Sequence, residues 1–245
     1  MRAFPVFQEH WASWRELAGW PGHGQLAGVR LAELDAGGAF DSASTEAWLT
    51  DRERRRLAAL TLPKRRREWL GGRLAAKGAA SWLRGQPEAW PAIEIGADGN
   101  GRPVVAGCSS LSISHSGPLA AALAAEVPCG LDLQEPRTAL LGVRSRFAAP
   151  EEETLLTALL PAMPELSRLA LLWAAKEAAR KLGLTSRPPG LLATRLQEAR
   201  GKATPPSPLR LTLSCPVEGG RRELTMLAFM GHGLAWAVCL APSME

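Results

Sequence analysis

The fold class of this chain of 245 residues is indicated first by two short stretches, residues 112–117 (SISHSG) and residues 130–134 (GLDLQ). In the second stretch leucines alternate with polar residues, so a β-strand would turn Asp132 to the face opposite the leucines. Further along, residues 173–181 (WAAKEAARK) repeat apolar and charged positions at helical spacing. A strand that carries one carboxylate and a later helix that carries another, Glu177, indicate a mixed α and β protein.

The patterning of the remaining chain supports this class. Thr50 or Asp51 is expected to cap a helix, and residues 98–101 (DGNG) are expected to form a tight turn. Because strands and helices do not alternate regularly, an α+β fold is expected rather than a doubly wound parallel sheet. Helices are predicted over residues 45–60, 66–83, 150–160 and 166–182, and strands over 25–32, 110–114, 119–124, 129–133, 209–215, 223–230 and 234–240.

The composition is that of an ordinary globular chain, with 46% hydrophobic and 22% charged residues. Its length allows one large domain or two small ones. No apolar run approaches the roughly 18–20 residues of a membrane span, and residues 1–10 lack a secretion signal, so a cytoplasmic protein without membrane contact is expected. Four cysteines without metal-ligand spacing predict neither a disulfide framework nor a zinc site.

The net charge of +5 is unevenly distributed along the chain. Residues 52–73 hold nine basic residues against two glutamates, Glu53 and Glu68. Such a block indicates a surface that faces an anion, whether a nucleic acid, a nucleotide cofactor or an acidic protein. Trp69 is the one aromatic residue in this block, so a nucleic acid is the least favoured of the three.

The helix predicted at residues 173–181 places Glu177 and Lys181 on one face. An ordinary helix-surface ion pair explains that spacing equally well, unless a second carboxylate reaches the same place. Asp132 is the candidate, because Mg²⁺ is typically held by one or two protein carboxylates together with phosphate oxygens. Gln134 lies on the same strand face as Asp132 and offers either a neutral carbonyl ligand or a partner for a metal-bound water.

A phosphate site is predicted where residues 114–117 (SHSG) follow a strand, since hydroxyls, a histidine and backbone N–H groups suit that anion. A hydrolase triad is the competing interpretation. The chain lacks the G-x-S-x-G turn of such hydrolases, and the neighbouring residues Ser114 and His115 are expected to point to opposite faces of a strand. The chain also has no phosphate-binding loop of the P-loop type.

One internal echo is present, between residues 75–80 (AAKGAA) and residues 174–179 (AAKEAA), which match at five of six positions. Alanine-rich helix composition is the simpler explanation of such a match. A true repeat would imply two similar halves of about 100 residues that meet at a shared cleft.

Taken together, these residues resemble the 4′-phosphopantetheinyl transferase superfamily, specifically its larger, monomeric surfactin-type branch. The resemblance covers about residues 25–240. It is carried by residues 101–103 (GRP), 112–116 (SISHS), 130–133 (GLDL) and 173–181, with 67–71 (REWLG), 146–147 (RF) and 151–152 (EE) in the expected order.

The resemblance implies two pseudosymmetric α+β halves with antiparallel sheets that meet at a central CoA-binding cleft. Residues 1–24 would be an N-terminal extension, residues 25–128 the half that binds nucleotide and phosphate, and residues 129–245 the half with the Mg²⁺ site and the catalytic helix. Two such halves would explain why residues 75–80 match residues 174–179.

The activity implied is Mg²⁺-dependent transfer of the 4′-phosphopantetheine arm of coenzyme A to a serine of an apo acyl or peptidyl carrier protein, with release of 3′,5′-ADP. This is a phosphotransferase reaction of holo-[carrier protein] synthases, in which Mn²⁺ can replace Mg²⁺. It serves fatty-acid, polyketide or nonribosomal peptide biosynthesis. The implied partners are CoA and an acidic carrier, without nucleic acid or membrane, and a monomer is expected.

The resemblance also assigns site residues. Asp132 and Glu177 would bind the metal with the CoA pyrophosphate, and Glu177 would be the general base for the carrier serine, directly or through a water. Lys181, with Lys176 as a further candidate, would neutralise the leaving diphosphate. Ser114 and His115 are expected at the 3′-phosphate of CoA. Nucleotide and phosphates would be held by Arg52, Arg55, Arg67 and Arg102, where the family often uses lysines.

Gln134 departs from the pattern, because some members have a third acidic residue there. Loss of that charge weakens the expected metal site and leaves open whether Gln134 is a direct ligand. It favours the alternative that the chain binds CoA or a carrier without transferring the arm. Asp132, Glu177 and Lys181 argue for the enzyme.

Overall fold

The computed structural model describes residues 7–8, 23–36, 42–185, 187–204 and 207–241. The extension expected at residues 1–24 lies almost entirely outside these ranges. The described residues form two compact units, an N-terminal unit of residues 7–8 and 23–128 and a C-terminal unit of residues 129–241. Both units mix helices with antiparallel strands, so the predicted α+β class is confirmed.

The N-terminal unit is built on a four-stranded antiparallel sheet with the order β1-β2-β6-β5. A separate two-stranded ribbon, β3 with β4, flanks the predicted turn at Asp98. The elements are β1 (Phe7–Gln8), β2 (Gly24–Arg30), α1 (Leu31–Ala36), α2 (Ser42–Trp48), α3 (Asp51–Ala58), α4 (Pro63–Leu83), a 3-10 helix (Pro87–Ala92), β3 (Gly96–Ala97), β4 (Pro103–Val104), β5 (Ser110–Ser116) and β6 (Leu119–Ala125).

The helical stretch predicted over residues 45–60 is divided into two helices, because the chain is extended at Thr50, and the cap predicted there is confirmed. Thr50 caps α3: its hydroxyl accepts the Glu53 N–H at 3.4 Å, and its own N–H donates to the Glu53 carboxylate at 3.0 Å. This reciprocal capping box begins a new helix and ends the previous one. The strand predicted at residues 25–32 likewise stops at Arg30, where α1 takes over.

Helix α4 packs closely on the sheet because two adjacent glycines face it. A Cβ at Gly71 would lie 3.1 Å from Ala120 Cβ, and one at Gly72 would lie 2.9 Å from Ile113 Cγ2. Strand β6 (LAAALAA) is buried along its whole length, so small residues fill both sides of the contact. The first turns of α4 are thereby held near the end of β5.

The C-terminal unit is built on a five-stranded antiparallel sheet with the order β7-β11-β10-β9-β8. The strand β8 and the short helix α5 were not predicted. The elements are β7 (Cys129–Gln134), α5 (Ala139–Val143), a 3-10 helix (Arg144–Arg146), α6 (Pro150–Leu159), α7 (Glu165–Lys181), a 3-10 helix (Leu191–Ala193), β8 (Arg195–Arg200), β9 (Leu209–Val217), β10 (Gly220–Gly231) and β11 (Leu234–Leu240).

Helix α7 packs on β7, β10 and β11, and its backbone comes very near the sheet at Gly130. A Cβ there would lie only 2.0 Å from the carbonyl oxygen of Ala178. The absent side chain lets the helix backbone rest directly on β7. Asp132, two residues after Gly130 on the same strand, is therefore brought next to the last turns of α7.

The two units share one arrangement of strands. In each, the first long strand pairs with the last strand, β2 with β6 and β7 with β11. In each, the last two strands form a hairpin, β5–β6 and β10–β11, and a long helix packs on this sheet.

The sequence echo also has a structural counterpart. The ammonium of Lys77 lies 2.7 Å from the Glu53 carboxylate, and that of Lys176 lies 2.7 Å from Glu152. Both lysines are 0% exposed and both glutamates 3%. Alanine-rich composition alone does not supply matching buried partners, so the simpler explanation of the echo is wrong.

All four cysteines are free. Three of them, Cys129, Cys215 and Cys239, are buried. Burial raises the pKa of the Cys215 thiol to about 11 and that of Cys239 well above its ordinary value. These groups stay protonated near neutral pH, which is not the state of a nucleophile or a metal ligand.

Candidate active site

Two carboxylates and a lysine converge in the C-terminal unit, where α7 crosses β7. The ammonium of Lys181 donates to Asp132 Oδ1 at 2.7 Å and to the carbonyl of Leu131 at 2.9 Å. The side chains are 10% exposed for Asp132, 21% for Glu177 and 30% for Lys181, so each is sheltered but reachable from solvent. Glu177 lies close enough to interact electrostatically with both Asp132 and Lys181, so the three residues expected to carry the chemistry lie together.

Glu177 has the electrostatics of a base. Burial raises its pKa, and the nearby negative charge of Asp132 raises it further. The positive charges of Arg180 and Lys181 oppose the shift; Arg180 Nη1 lies 3.3 Å from Glu177 Oε1. A carboxylate with a raised pKa accepts a proton more readily than an exposed glutamate does.

The chemistry of the donor set fits a divalent cation. Asp132 and Glu177 are carboxylates close enough to repel each other, and a hard cation would relieve that repulsion. No group of three or more His, Cys, Asp or Glu is arranged as a metal site among the described residues. Two carboxylates nevertheless suffice for Mg²⁺ when phosphate oxygens complete its coordination.

Gln134 is buried on the same face of β7 as Asp132. Its amide nitrogen donates to the carbonyl of Glu135 at 2.9 Å, which orients the side chain. The amide oxygen is the atom that a cation or its water would use. Gln134 contributes no charge, so the carboxylates carry the electrostatic attraction.

Lys176 is placed differently from Lys181. Its side chain is fully buried, and its ammonium donates to Glu152 Oε2 at 2.7 Å and to the carbonyl of Phe147 at 2.6 Å. Burial lowers the pKa of Lys176, and Glu152 opposes that shift. This environment does not favour the contact with CoA expected from the resemblance.

In the N-terminal unit the predicted phosphate residues lie at the end of β5. Ser114 is buried and His115 is exposed, so they point to opposite sides of the strand as expected. His115 Nδ1 lies 3.7 Å from a carboxylate oxygen of Glu68 on α4. Glu68, to which the sequence assigned no role, thus connects His115 to the helix that carries Arg67.

The predicted arginines occupy separate parts of this unit. Arg52 and Arg55 are exposed, three residues apart on α3, and Arg52 pairs with Glu94 at 3.2 Å. Arg67 is partly buried on α4. Arg102 follows the tight turn, where its N–H donates to Asp98 Oδ1 at 2.8 Å. Contact with a common ligand stays a prediction for these four residues.

A family model described as the 4′-phosphopantetheinyl transferase N-terminal domain matches residues 53–125. These residues run from the start of α3 to the end of β6. The match supports the 4′-phosphopantetheinyl transferase superfamily and a phosphopantetheinyl transfer role in general. Enzymes of this family are transferases whose partners are CoA and a carrier protein.

No curated protein matches the chain significantly. Within the part of the chain that the structure describes, no helix combines the length and apolar character needed to cross a bilayer.

We expect replacement of Glu177 by glutamine to change how stability depends on pH in metal-free protein. The raised pKa means that the folded state binds the Glu177 proton more tightly than the unfolded chain does. Wild-type stability therefore falls, relative to Glu177→Gln, as pH rises through that pKa. In EDTA, the melting temperature of the variant should exceed that of the wild type at about pH 8, and the gap should close toward about pH 5. A difference in melting temperature between the two proteins that grows toward low pH would contradict a raised pKa of Glu177.

Proposed function

We propose that this protein transfers the 4′-phosphopantetheine arm of CoA to a serine of an apo acyl or peptidyl carrier protein and releases 3′,5′-ADP. The single observation that carries the proposal is the convergence of Asp132, Glu177 and Lys181 in the C-terminal unit. A base with a raised pKa, a second carboxylate and a lysine suit attack of a hydroxyl on a phosphoanhydride.

In the proposed reaction, the serine oxygen of the carrier attacks the β-phosphorus of CoA while Glu177 accepts the hydroxyl proton, directly or through a water. The bond from that phosphorus to the bridging oxygen breaks, and this oxygen leaves with 3′,5′-ADP. Lys181, an ammonium already held beside Asp132, offsets the negative charge that develops on the leaving group.

Asp132 and Glu177 are the residues proposed to hold Mg²⁺, with Gln134 as a neutral ligand or as a partner of a bound water. Such a cation neutralises charge on the pyrophosphate. In the N-terminal unit, His115 and Ser114 are proposed to bind the 3′-phosphate of CoA. Arg52, Arg55, Arg67 and Arg102 are proposed to bind its other phosphates or the nucleotide, because guanidinium groups form paired hydrogen bonds to phosphate.

The carrier is proposed to be acidic. Five exposed basic side chains of the N-terminal unit extend along α3 and the start of α4, and such a surface steers an acidic partner toward it. They are Arg52, Arg55, Arg56, Lys64 and Arg65.

The test is the intact mass of apo carrier proteins after incubation with this protein, CoA and Mg²⁺. We expect a mass gain equal to one phosphopantetheine, which disappears in EDTA and with a carrier whose acceptor serine is replaced by alanine. Binding of CoA without a mass gain on any fatty-acid, polyketide or peptide carrier would favour the alternative of a binding protein without transfer.

A further inference from the structure

The buried carboxylate of Glu152 ties three elements of the C-terminal unit together. Its Oε2 accepts the Ala149 N–H at 2.8 Å, which caps α6, and the Lys176 ammonium of α7 at 2.7 Å. Its Oε1 accepts the Leu196 N–H of β8 at 2.7 Å. A carboxylate with both oxygens engaged inside the protein has fixed geometry, so it also fixes the side of α7 that carries Lys176.

Glu53 makes the same set of contacts in the N-terminal unit. It accepts the Thr50 N–H at 3.0 Å at the start of α3 and the Ile95 N–H at 3.2 Å beyond α4. Its carboxylate pairs with Lys77 of α4 at 2.7 Å. The buried lysine–glutamate pair is therefore a feature of both units.

The carboxylates of the candidate site occur in one unit only. The hairpins end in equivalent pairs, Ser116 with Leu119 and Gly231 with Leu234. Three residues after Leu119 in β6 lies Ala122, whose partner is Ala27, and three residues after Leu234 in β11 lies Ala237, whose partner is Asp132.

The long helices differ in the same way. The echo aligns Lys77 with Lys176, and so aligns Gly78 with Glu177. The N-terminal unit therefore has the buried lysine–glutamate pair but no carboxylate at the positions equivalent to Asp132 and Glu177. Because this pair is present in a unit without those carboxylates, it stabilises the fold that the two units share and does not bind a ligand.

We propose that Lys176 is a positioning residue: through Glu152 it sets the orientation of α7 so that the adjacent Glu177 faces Asp132. This inference rests on the proposed function. One side of α7 is fixed against β7 at Gly130, where the helix backbone touches the strand, and the other is fixed by the pair with Glu152. Between these two contacts the helix has little freedom to rotate.

The test compares Lys176→Met with the matched Lys77→Met, which breaks the equivalent pair in the other unit. Methionine keeps the length of the side chain and removes its charge. Three quantities are measured for each protein: the melting temperature, the dissociation constant for CoA by calorimetry, and that for Mn²⁺ by electron paramagnetic resonance at saturating CoA. The Mn²⁺ ion reports on Asp132 and Glu177 without relying on turnover.

We expect both variants to melt at lower temperature than the wild type, because each leaves a buried carboxylate without its partner. Lys176→Met should bind Mn²⁺ at least about tenfold more weakly with CoA affinity within about twofold, whereas Lys77→Met should bind Mn²⁺ as the wild type does. Equal weakening of Mn²⁺ binding in both variants would overturn the positioning role. So would a loss of CoA affinity in Lys176→Met with unchanged Mn²⁺ binding, which is the signature of a direct ligand.

Glu152→Gln and Glu53→Gln repeat the comparison if the methionine variants do not fold, since glutamine keeps the shape and loses the ion pair. Glu152→Gln should weaken Mn²⁺ binding and Glu53→Gln should not. Equal Mn²⁺ affinities in these two variants would again overturn the inference. A wild-type protein that binds Mn²⁺ but transfers nothing would defeat the proposed function without affecting this comparison.

Discussion

Replacement of Glu177 by glutamine is expected to lower kcat for transfer to a carrier by a factor on the order of 10²–10⁴, the usual contribution of a general base. Glutamine has nearly the same shape and cannot accept the serine proton. It also removes one of the two carboxylates proposed to hold Mg²⁺. High Mg²⁺ can offset weaker metal binding but cannot replace the missing base, so most of the loss should persist at saturating Mg²⁺. The measurement is the initial rate of carrier modification, with CoA affinity determined in parallel.

CoA affinity in the absence of a divalent cation should change little, because Glu177 carries no positive charge that would bind phosphate. The matched control is Glu165→Gln, at the start of the same helix, where the carboxylate pairs with Arg144 at 3.0 Å. This control should retain nearly full activity. Transfer by Glu177→Gln at a rate close to that of the control would refute the role of Glu177.

Replacement of Gly130 by alanine is expected to have the largest effect on the fold. The new Cβ would lie 2.0 Å from the carbonyl oxygen and 2.9 Å from the carbonyl carbon of Ala178. Both are backbone atoms of α7, so no side-chain rotation relieves the clash and the helix must move off β7. Overpacking of this kind costs about 3 kcal/mol or more, which lowers the melting temperature of a chain of this length by roughly 6–12 °C.

The same displacement separates Lys181 from Asp132, so transfer activity should fall even below the melting temperature. The control is Gly142→Ala in α5, where a Cβ would meet nothing within 4 Å. Alanine there should be neutral or stabilising by about 0.5–1 kcal/mol. If Gly130→Ala had the same melting temperature as the wild type, α7 would not pack against β7 at this glycine.

Local pattern was enough to predict several elements and the faces on which some candidate residues lie. Alternation placed Asp132 and Gln134 on one face of a strand that ends at Gln134, and a period of 3.6 placed Glu177 and Lys181 on one face of α7. The strand at Leu234–Leu240 and the opposite orientations of Ser114 and His115 were also predicted correctly. Each of these features depends on neighbours within a few residues.

Errors arose where tertiary contacts outweighed local pattern. The helical stretch predicted over residues 45–60 ends before Thr50 and begins again after it, since the predicted cap at Thr50 forms a capping box with Glu53, whose carboxylate is also held by Lys77. The strand β8 (RLQEAR) was missed because its polar residues do not alternate clearly. It forms at the edge of the sheet by pairing with β9, and Glu152 accepts its Leu196 N–H.

The residue types available for the chemistry were evident from the sequence: two carboxylates, a lysine beside one of them, and a basic surface for an anionic partner. The surroundings of the two lysines, in contrast, depend on contacts between residues remote in sequence. Lys176 and Lys181 lie on the same helix, yet Lys181 reaches Asp132 at 2.7 Å and Lys176 is buried against Glu152. Partners so distant in sequence are selected by the packing of α7 on the sheet, and helical periodicity carries no information about them.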